Sequence, residues 1–374
     1  MPVFAQLRPV AFAVLVALVM AAGAAPAHSD DVLMQCRHLP VMDGDNQPIF
    51  GIEDMAFDAV RSRLILSAYD RHKVDAAISA GEVPPQGGLY LLDLTQLRGP
   101  LPDALAVSRA VIDADEDVTL FPHGIGLLDQ RLAVVNRRPG DAATSAADLL
   151  LLEAEGSGFR LVARAQGEAY CRANDVVLAT DHSAFFTFDQ QACGGLALWL
   201  ERAVMPRRSG IASVVFQDNG GAVSRAVLGG IALANGILLE ADRSSIVVAA
   251  SRDGEVRWYP FSELDQPTTA PLAVVSVDGA PDNLSLGRGG DVIAAVHPSV
   301  FSLFLHMQGL AALPPSRIVL IDAQGAVTVL AEGSGNHLPG AATSALMVED
   351  KLIVSSAWDY GLGICMPGES AGGR

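Results

Sequence analysis

Three things this 374-residue chain lacks narrow its class before any motif is considered. Basic charge is short: 25 Lys and Arg stand against 42 Asp and Glu, for a net charge of −17. A nucleic-acid partner needs a basic face for the phosphates, so that class is excluded. Beyond the first two dozen residues there is no run of about 18 apolar residues, the length a membrane-spanning helix needs. The four cysteines, Cys36, Cys171, Cys193 and Cys365, include no C-x-x-C pair, which argues against a structural zinc site.

The N-terminus reads as an export signal rather than as fold. Arg8 precedes an apolar run from Val10 to Ala22, and Ala25-Pro26-Ala27 is a small-x-small cleavage pattern before His28. Residues 1–27 are therefore expected to be a signal peptide and 28–374 a single domain, exported to the periplasm or secreted. A retained leader would instead anchor the protein to the membrane. In an oxidising compartment disulfides are allowed. Cys36 and Cys365 would tie the two ends of the chain. Cys171 and Cys193 flank His182, the turn of a hairpin, at equal distances and so fall opposite each other at its open end.

What the chain has in abundance is one recurring unit, clearest at Asn235 to Ser251. A polar residue opens a short aliphatic strand (Ile237-Leu238-Leu239), a turn follows at Asp242-Arg243-Ser244-Ser245, and a second strand returns (Ile246-Val247-Val248-Ala249). The same pattern opens at Glu53-Asp54, His123, Asn174-Asp175, Asp282-Asn283 and Ser344. Six copies at this spacing mean a repeat architecture, here an all-β six-bladed β-propeller. The openings of the inner strands then converge on the axis. Turn formation alone would also account for Asn and Asp at strand boundaries, but it would not require them to recur in phase.

Between repeats, Asp70 to Gly88 reads as a loop. Leu196, Trp199, Leu200, Ala203 and Val204 recur at helical spacing, with Glu201 and Arg202 off that face and Pro206 ending the run. Val300 to Leu313 is a second apolar stretch. One or two short helices are thus expected over the channel mouth, packing on the protein in preference to a lipid surface.

The converging residues define a chemistry. Glu53 and Asp282 bring carboxylates, and Asn174, Asn235 and Asn283 bring amide oxygens, a donor set that suits a hard cation, calcium before magnesium. Asp54 and Asp175 lie one residue on, at the opposite face of the strand or deeper in the channel, and could hold a second calcium. Asn283-Leu284-Ser285 is read as part of the ligand segment rather than as a glycosylation site.

Taken in order, Glu53-Asp54, Pro122-His123-Gly124-Ile125, Asn174-Asp175, Ala234-Asn235-Gly236-Ile237, Asp282-Asn283-Leu284-Ser285 and His297-Pro298 resemble the paraoxonase/arylesterase family, together with the paired Cys36 and Cys365. The resemblance runs over nearly all of the exported chain. It implies a six-bladed propeller with two calcium ions, hydrolysing lactones and esters. Glu53, Asn174, Asn235, Asp282 and Asn283 would hold the catalytic ion, and Asp54, Asp175 and the carbonyl of Ile125 the structural one. His123 would take a proton from water and His297 would position substrate. One departure is plain: the family's supporting histidine follows a Val-Asn pair, whereas here Val135-Asn136 leads to Arg137, which cannot relay a proton. Either His123 works alone or Asp282 serves as base, and lactones become the expected substrates ahead of aryl esters. A sugar-lactone hydrolase and a non-catalytic calcium-stabilised binding propeller are the alternatives.

Overall fold

A computed structural model of the chain describes residues 33–367, apart from 115–117, 140–145, 205, 218–219, 265 and 267–268. The expected signal peptide lies outside the described residues.

Six antiparallel-based sheets of four or five strands follow one another along the chain. Their first strands are Ile52–Asp58, Pro122–Leu128, Ala173–Leu178, Ala234–Leu239, Ala280–Leu286 and Ala342–Val348. Each packs against the next, and the sixth packs against the first, so these six form a closed inner ring. We number the blades 1 to 6 in this order. The architecture is the six-bladed β-propeller that the repeat implies.

The aliphatic runs explain the layering. In blade 1, Leu64 and Leu66 pack with Leu346 and Ile353 of blade 6, while Ile65 between them packs with Ile125 and Leu150 of blade 2. A strand buried on both faces has no polar side to show, so its sequence is continuously apolar. Corresponding clusters fill the remaining interfaces between neighbouring blades. Each Leu, Ile or Val so buried stabilises the ring by roughly 1.5–3 kcal/mol relative to exposure.

The ring is closed by the first strand described. Gln35–Leu39 joins the outer edge of blade 6 against Leu362–Met366, with Cys36 directly opposite Cys365 and a disulfide between them. A second disulfide joins Cys171 and Cys193. Both pairs are those expected from sequence, and they fit an oxidising compartment.

Among the described residues three α-helices, rather than one or two, leave the sheets where second strands end beside the openings of inner strands. Helix α1 (Arg71–Ala80) occupies the stretch read as a loop. Its start is set by Asp70, whose side chain accepts from the Lys73 N–H, and its end by Gly81 at φ 72°, a left-handed cap. Polar and charged residues dilute its apolar stripe to Val74 and Ala77, which hid it from a periodicity argument.

Helices α2 (Gly195–Val204) and α3 (Val300–Met307) are the other two, and their apolar faces correct an expectation. In α2 the residues expected to pack are exposed, Leu196 by 71% and Trp199 by 55%, whereas Glu201 is buried. The reason is local: the Glu201 carboxylate accepts from the backbone N–H groups of Gln191 and Ala192, each at 2.9 Å, and so turns the polar side inward. In α3, Val300, Phe301, Phe304 and Met307 are likewise exposed. No helix among the described residues is long and apolar enough to cross a membrane.

Candidate functional site

The axial residues are placed by a defect repeated in every blade. Pairing of the first strand with the second loses register between Ile52 and Asp54, Pro122 and Ile125, Ala173 and Val176, Ala234 and Ile237, Pro281 and Leu284, and Ala342 and Ser344. Inside these six slips lie Glu53, His123-Gly124, Asn174-Asp175, Asn235-Gly236, Asp282-Asn283 and Thr343. A bulge leaves its residues out of the ladder and bends the strand, freeing them for other contacts. This is the physical content of the in-phase polar openings. The sixth slip shows that Thr343, not Ser344, is the residue equivalent to Glu53.

Hydroxyl groups bind neighbouring bulges to one another. Ser67 Oγ donates to the His123 carbonyl at 2.6 Å, Thr187 Oγ1 to that of Asn235 at 2.5 Å, and Thr343 Oγ1 to that of Glu53 at 2.7 Å. Glycine allows the close approach. A Cβ at Gly124 would lie 2.4 Å from Asp175 Oδ1, and one at Gly236 would lie 2.5 Å from the Asp282 carbonyl oxygen.

At the upper level, Glu53 Oε2, Asn174 Oδ1, Asn235 Oδ1 and Asn283 Oδ1 are buried, and none has a hydrogen-bond partner. They come from blades 1, 3, 4 and 5. Asn283 Nδ2 donates to Glu53 Oε1 at 3.2 Å, which fixes the orientation of the amide and leaves its oxygen unpaired. Asp282 is held by His297, with Nε2 at 2.7 Å from Oδ2, while Nδ1 of His297 is buried and unpartnered. Among the described residues no three His, Cys, Asp or Glu side chains gather as a ligand group. A cation held here would draw on the amide oxygens as much as on the carboxylates.

His123 sits between Glu53 and Arg137. Its Nδ1 is 3.0 Å from Glu53 Oε1, and its Nε2 is 3.5 Å from Arg137 Nη1. A guanidinium only donates, so Nε2 carries the lone pair and Nδ1 the proton. Burial lowers the His123 pKa, and Arg137 and Arg71 add to this against the opposing pull of Glu53. Burial alone would raise Glu53, but His123, Arg71 and Asn283 outweigh it and hold its carboxyl below the usual range. His123 Nδ1 lies close to Glu53 Oε1 without completing a well-formed hydrogen bond.

One level deeper, the Asp54 carboxylate accepts from the Ile125 N–H at 2.9 Å and from Ser344 Oγ at 2.9 Å. Asp175 accepts from the N–H groups of Val176 at 2.7 Å and Ile237 at 2.8 Å. Asp54 thereby links blade 1 to blades 2 and 6, and Asp175 links blade 3 to blade 4. Burial, reinforced by the neighbouring Glu53 charge, pushes Asp54 up to about 7. Burial and the Asp54 charge raise Asp175 well above the usual carboxylate range.

Several residues at this site gave no sequence signal. Asp189 receives Arg137 Nη2 at 2.7 Å and Arg172 Nε at 3.0 Å, so the guanidinium that replaces the expected histidine is itself anchored. Arg71 opens α1 and lies over the Tyr69 ring at 4.3 Å. Thr343 joins Glu53 to Ala357. Asp189 and Arg71 belong to segments with no repeat phase, whereas Thr343 could have been inferred by aligning the sixth unit with the other five.

Comparison with known proteins agrees with the propeller fold. No curated relative matches the chain. Among solved structures, a luciferin-regenerating enzyme is similar at 14% identity over 89% of this chain and 95% of its own, with a TM-score of 0.51. A calcium-binding protein, regucalcin, from Agrobacterium tumefaciens is similar at 13% identity over 87% and 95%, with a TM-score of 0.50. At such identity the likeness establishes the fold. The family model described as Arylesterase matches residues 78–361, about three-quarters of the chain and five of the six inner strands. The chain belongs to the arylesterase family and is a hydrolase.

Proposed function

We propose that the protein is a calcium-dependent hydrolase of small-molecule lactones and carboxylic esters, with its active centre at the upper level of the propeller axis. The observation that carries this reading is the set of four buried, unpartnered oxygens on Glu53, Asn174, Asn235 and Asn283. Buried polar atoms are almost always hydrogen-bonded, and an exception calls for a reason. Four acceptors with no donor among them are what a hard cation satisfies. Asp282 adds the second carboxylate. The deeper pair supports a second, structural ion, because two buried like charges at Asp54 and Asp175 are costly until a divalent cation offsets them. Ile125 completes this set through its backbone.

Calcium at the upper level would polarise a substrate carbonyl and stabilise the charge that develops on its oxygen. The chain's own groups supply the rest. Neutral His123 accepts a proton from the attacking water at Nε2, while its Nδ1–H stays beside Glu53. Burial, with Arg137 and Arg71 adding to it, disfavours protonation of that imidazole, so His123 is a weak base. Lactones and activated esters therefore suit it better than poor leaving groups. Asp282, held by His297, is the alternative base, and His297 then positions both carboxylate and substrate.

The test is turnover of a medium-chain lactone and of phenyl acetate in calcium and after chelation, with wild type, Glu53→Gln, His123→Gln and Asp282→Asn. Chelator and Glu53→Gln are expected to abolish turnover. If His123 is the base, His123→Gln loses about 10²–10⁴-fold. Calcium-independent turnover would reject the metal-centred reading, and unchanged activity in His123→Gln would transfer the base to Asp282.

A further inference from the structure

Resting on the hydrolase reading, we propose that this site recognises a carboxylate carried by its substrate, away from the bond that is cut, and that Arg71 binds it. The Arg71 side chain belongs to a residue only 9% exposed, yet its Nη2 has no hydrogen-bond partner. Nη1 donates to the Ala357 carbonyl at 3.1 Å. Among the described residues no carboxylate pairs with it, although other buried arginines are matched: Arg63 with Asp58, Arg137 with Asp189, and Arg257 with Asp253 and Glu255. A buried guanidinium whose nearest carboxylates, Glu53 and Asp75, make no direct ion pair with it is costly, and an anion bound beside it removes the cost.

Position and surroundings assign that anion to the substrate. The Ala357 N–H donates to Thr343 Oγ1, which donates to the Glu53 carbonyl, so the residue holding Arg71 is two hydrogen bonds from a proposed metal ligand. The charge of Arg71 is felt at both Glu53 and His123. Arg137 is saturated by Asp189 and cannot play the same part. Around Arg71 stand Tyr69 at 4.3 Å and Trp358 at 5.8 Å, with His72 beside Trp358. Aromatic walls closing on one free guanidinium nitrogen suit an anionic group on a carbon chain, and a carboxylate matches the planar fork.

Hydrolysis of any ester also yields a carboxylate, so the experiment separates the two sources. Pairs of lactones or esters differing only in a terminal carboxylate are assayed with wild type, Arg71→Gln and Arg71→Lys in calcium. Wild type is expected to favour the charged member by about 10- to 100-fold in kcat/KM, mostly through KM, the range of one charge-assisted contact. The preference should fall to near unity in Arg71→Gln and return in part in Arg71→Lys. A structural role for Arg71 would lower both substrates together and leave their ratio unchanged, which would overturn the proposal. So would no preference in wild type combined with product inhibition that Arg71→Gln relieves, because the guanidinium would then serve the product alone. If wild type hydrolyses neither member, the hydrolase reading fails, and calorimetric titration with glutarate still decides the carboxylate site. Binding that weakens at least tenfold in Arg71→Gln upholds it, and equal or absent binding refutes it.

Discussion

Replacing Cys36 and Cys365 together by Ala removes the covalent closure of the ring, and its cost can be set against that of the other disulfide. The bonds span 329 and 22 residues of sequence. In the chain-entropy model, ΔS ≈ −2.1 − 1.5R ln n gives about 6 kcal/mol for the long loop and about 3.4 kcal/mol for the short one at 25 °C. Five backbone pairs, Gln35↔Met366 to Leu39↔Leu362, still hold the N-terminal strand to blade 6, so each absolute value is an upper bound and the difference is the firmer quantity. Urea unfolding without calcium should show the Cys36/Cys365 variant less stable than the Cys171/Cys193 variant by about 2 kcal/mol, with the larger m-value because its unfolded chain loses the longer cross-link. Opening the ring also loosens the oxygens that blades 1, 3, 4 and 5 bring together, so calcium affinity should fall further in the first variant. If the Cys171/Cys193 variant is the less stable, closure of the ring is not what the long disulfide provides.

Two other outcomes follow from the site. Gly236→Ala places a Cβ 2.5 Å from the Asp282 carbonyl oxygen and 2.7 Å from Asn283 Cα, both backbone atoms, so blades 4 and 5 must part. Thermal unfolding should show a loss of about 1–3 kcal/mol, and calcium titration a weaker upper site. Burial would raise Asp189, but Arg137 and Arg172 outweigh it and depress its pKa to about 2 from 3.8. A depressed carboxyl stabilises the fold above pH 3.8 and loses that contribution as pH falls toward 2. The wild type should therefore lose about 2 kcal/mol more than Asp189→Asn between pH 5 and pH 2, read by urea unfolding at each pH. Parallel pH profiles would remove the ion pair from the account.

What could be read from the sequence followed the repeat. Asn235-Gly236 and the aliphatic runs after it fix blade 4 in the register observed, Ile237↔Val248 and Leu239↔Ile246, because a strand buried on both faces has a continuous apolar signature. The axial residues were legible for the same reason: a bulge recurring in every blade leaves a polar residue in phase. Arg71, Asp189 and α1 were not legible, since each lies in a segment peculiar to one blade. The face of α2 was misread because periodicity reports which residues share a face, not which face a buried carboxylate such as Glu201 will turn inward.

The two levels of the axis differ in one respect that bears on their proposed roles. At the lower level, Asp54 and Asp175 have both carboxylate oxygens occupied by N–H or O–H donors, three of them from adjacent blades and the fourth, the Val176 N–H, from Asp175's own strand. An ion there would meet ligands already fixed by the protein, with little freedom to exchange a partner. At the upper level the acceptors on Glu53, Asn174, Asn235 and Asn283 have no such donors, and His123, Arg137 and Arg71 border them. Coordination there depends on side chains alone, so a substrate oxygen can enter or leave without disturbing the ladder of any blade. That asymmetry supports the proposal of a structural lower level and a chemical upper one. Calcium titration of Asp54→Asn and Glu53→Gln tests it: the first should lose thermal stability before activity, the second activity before stability.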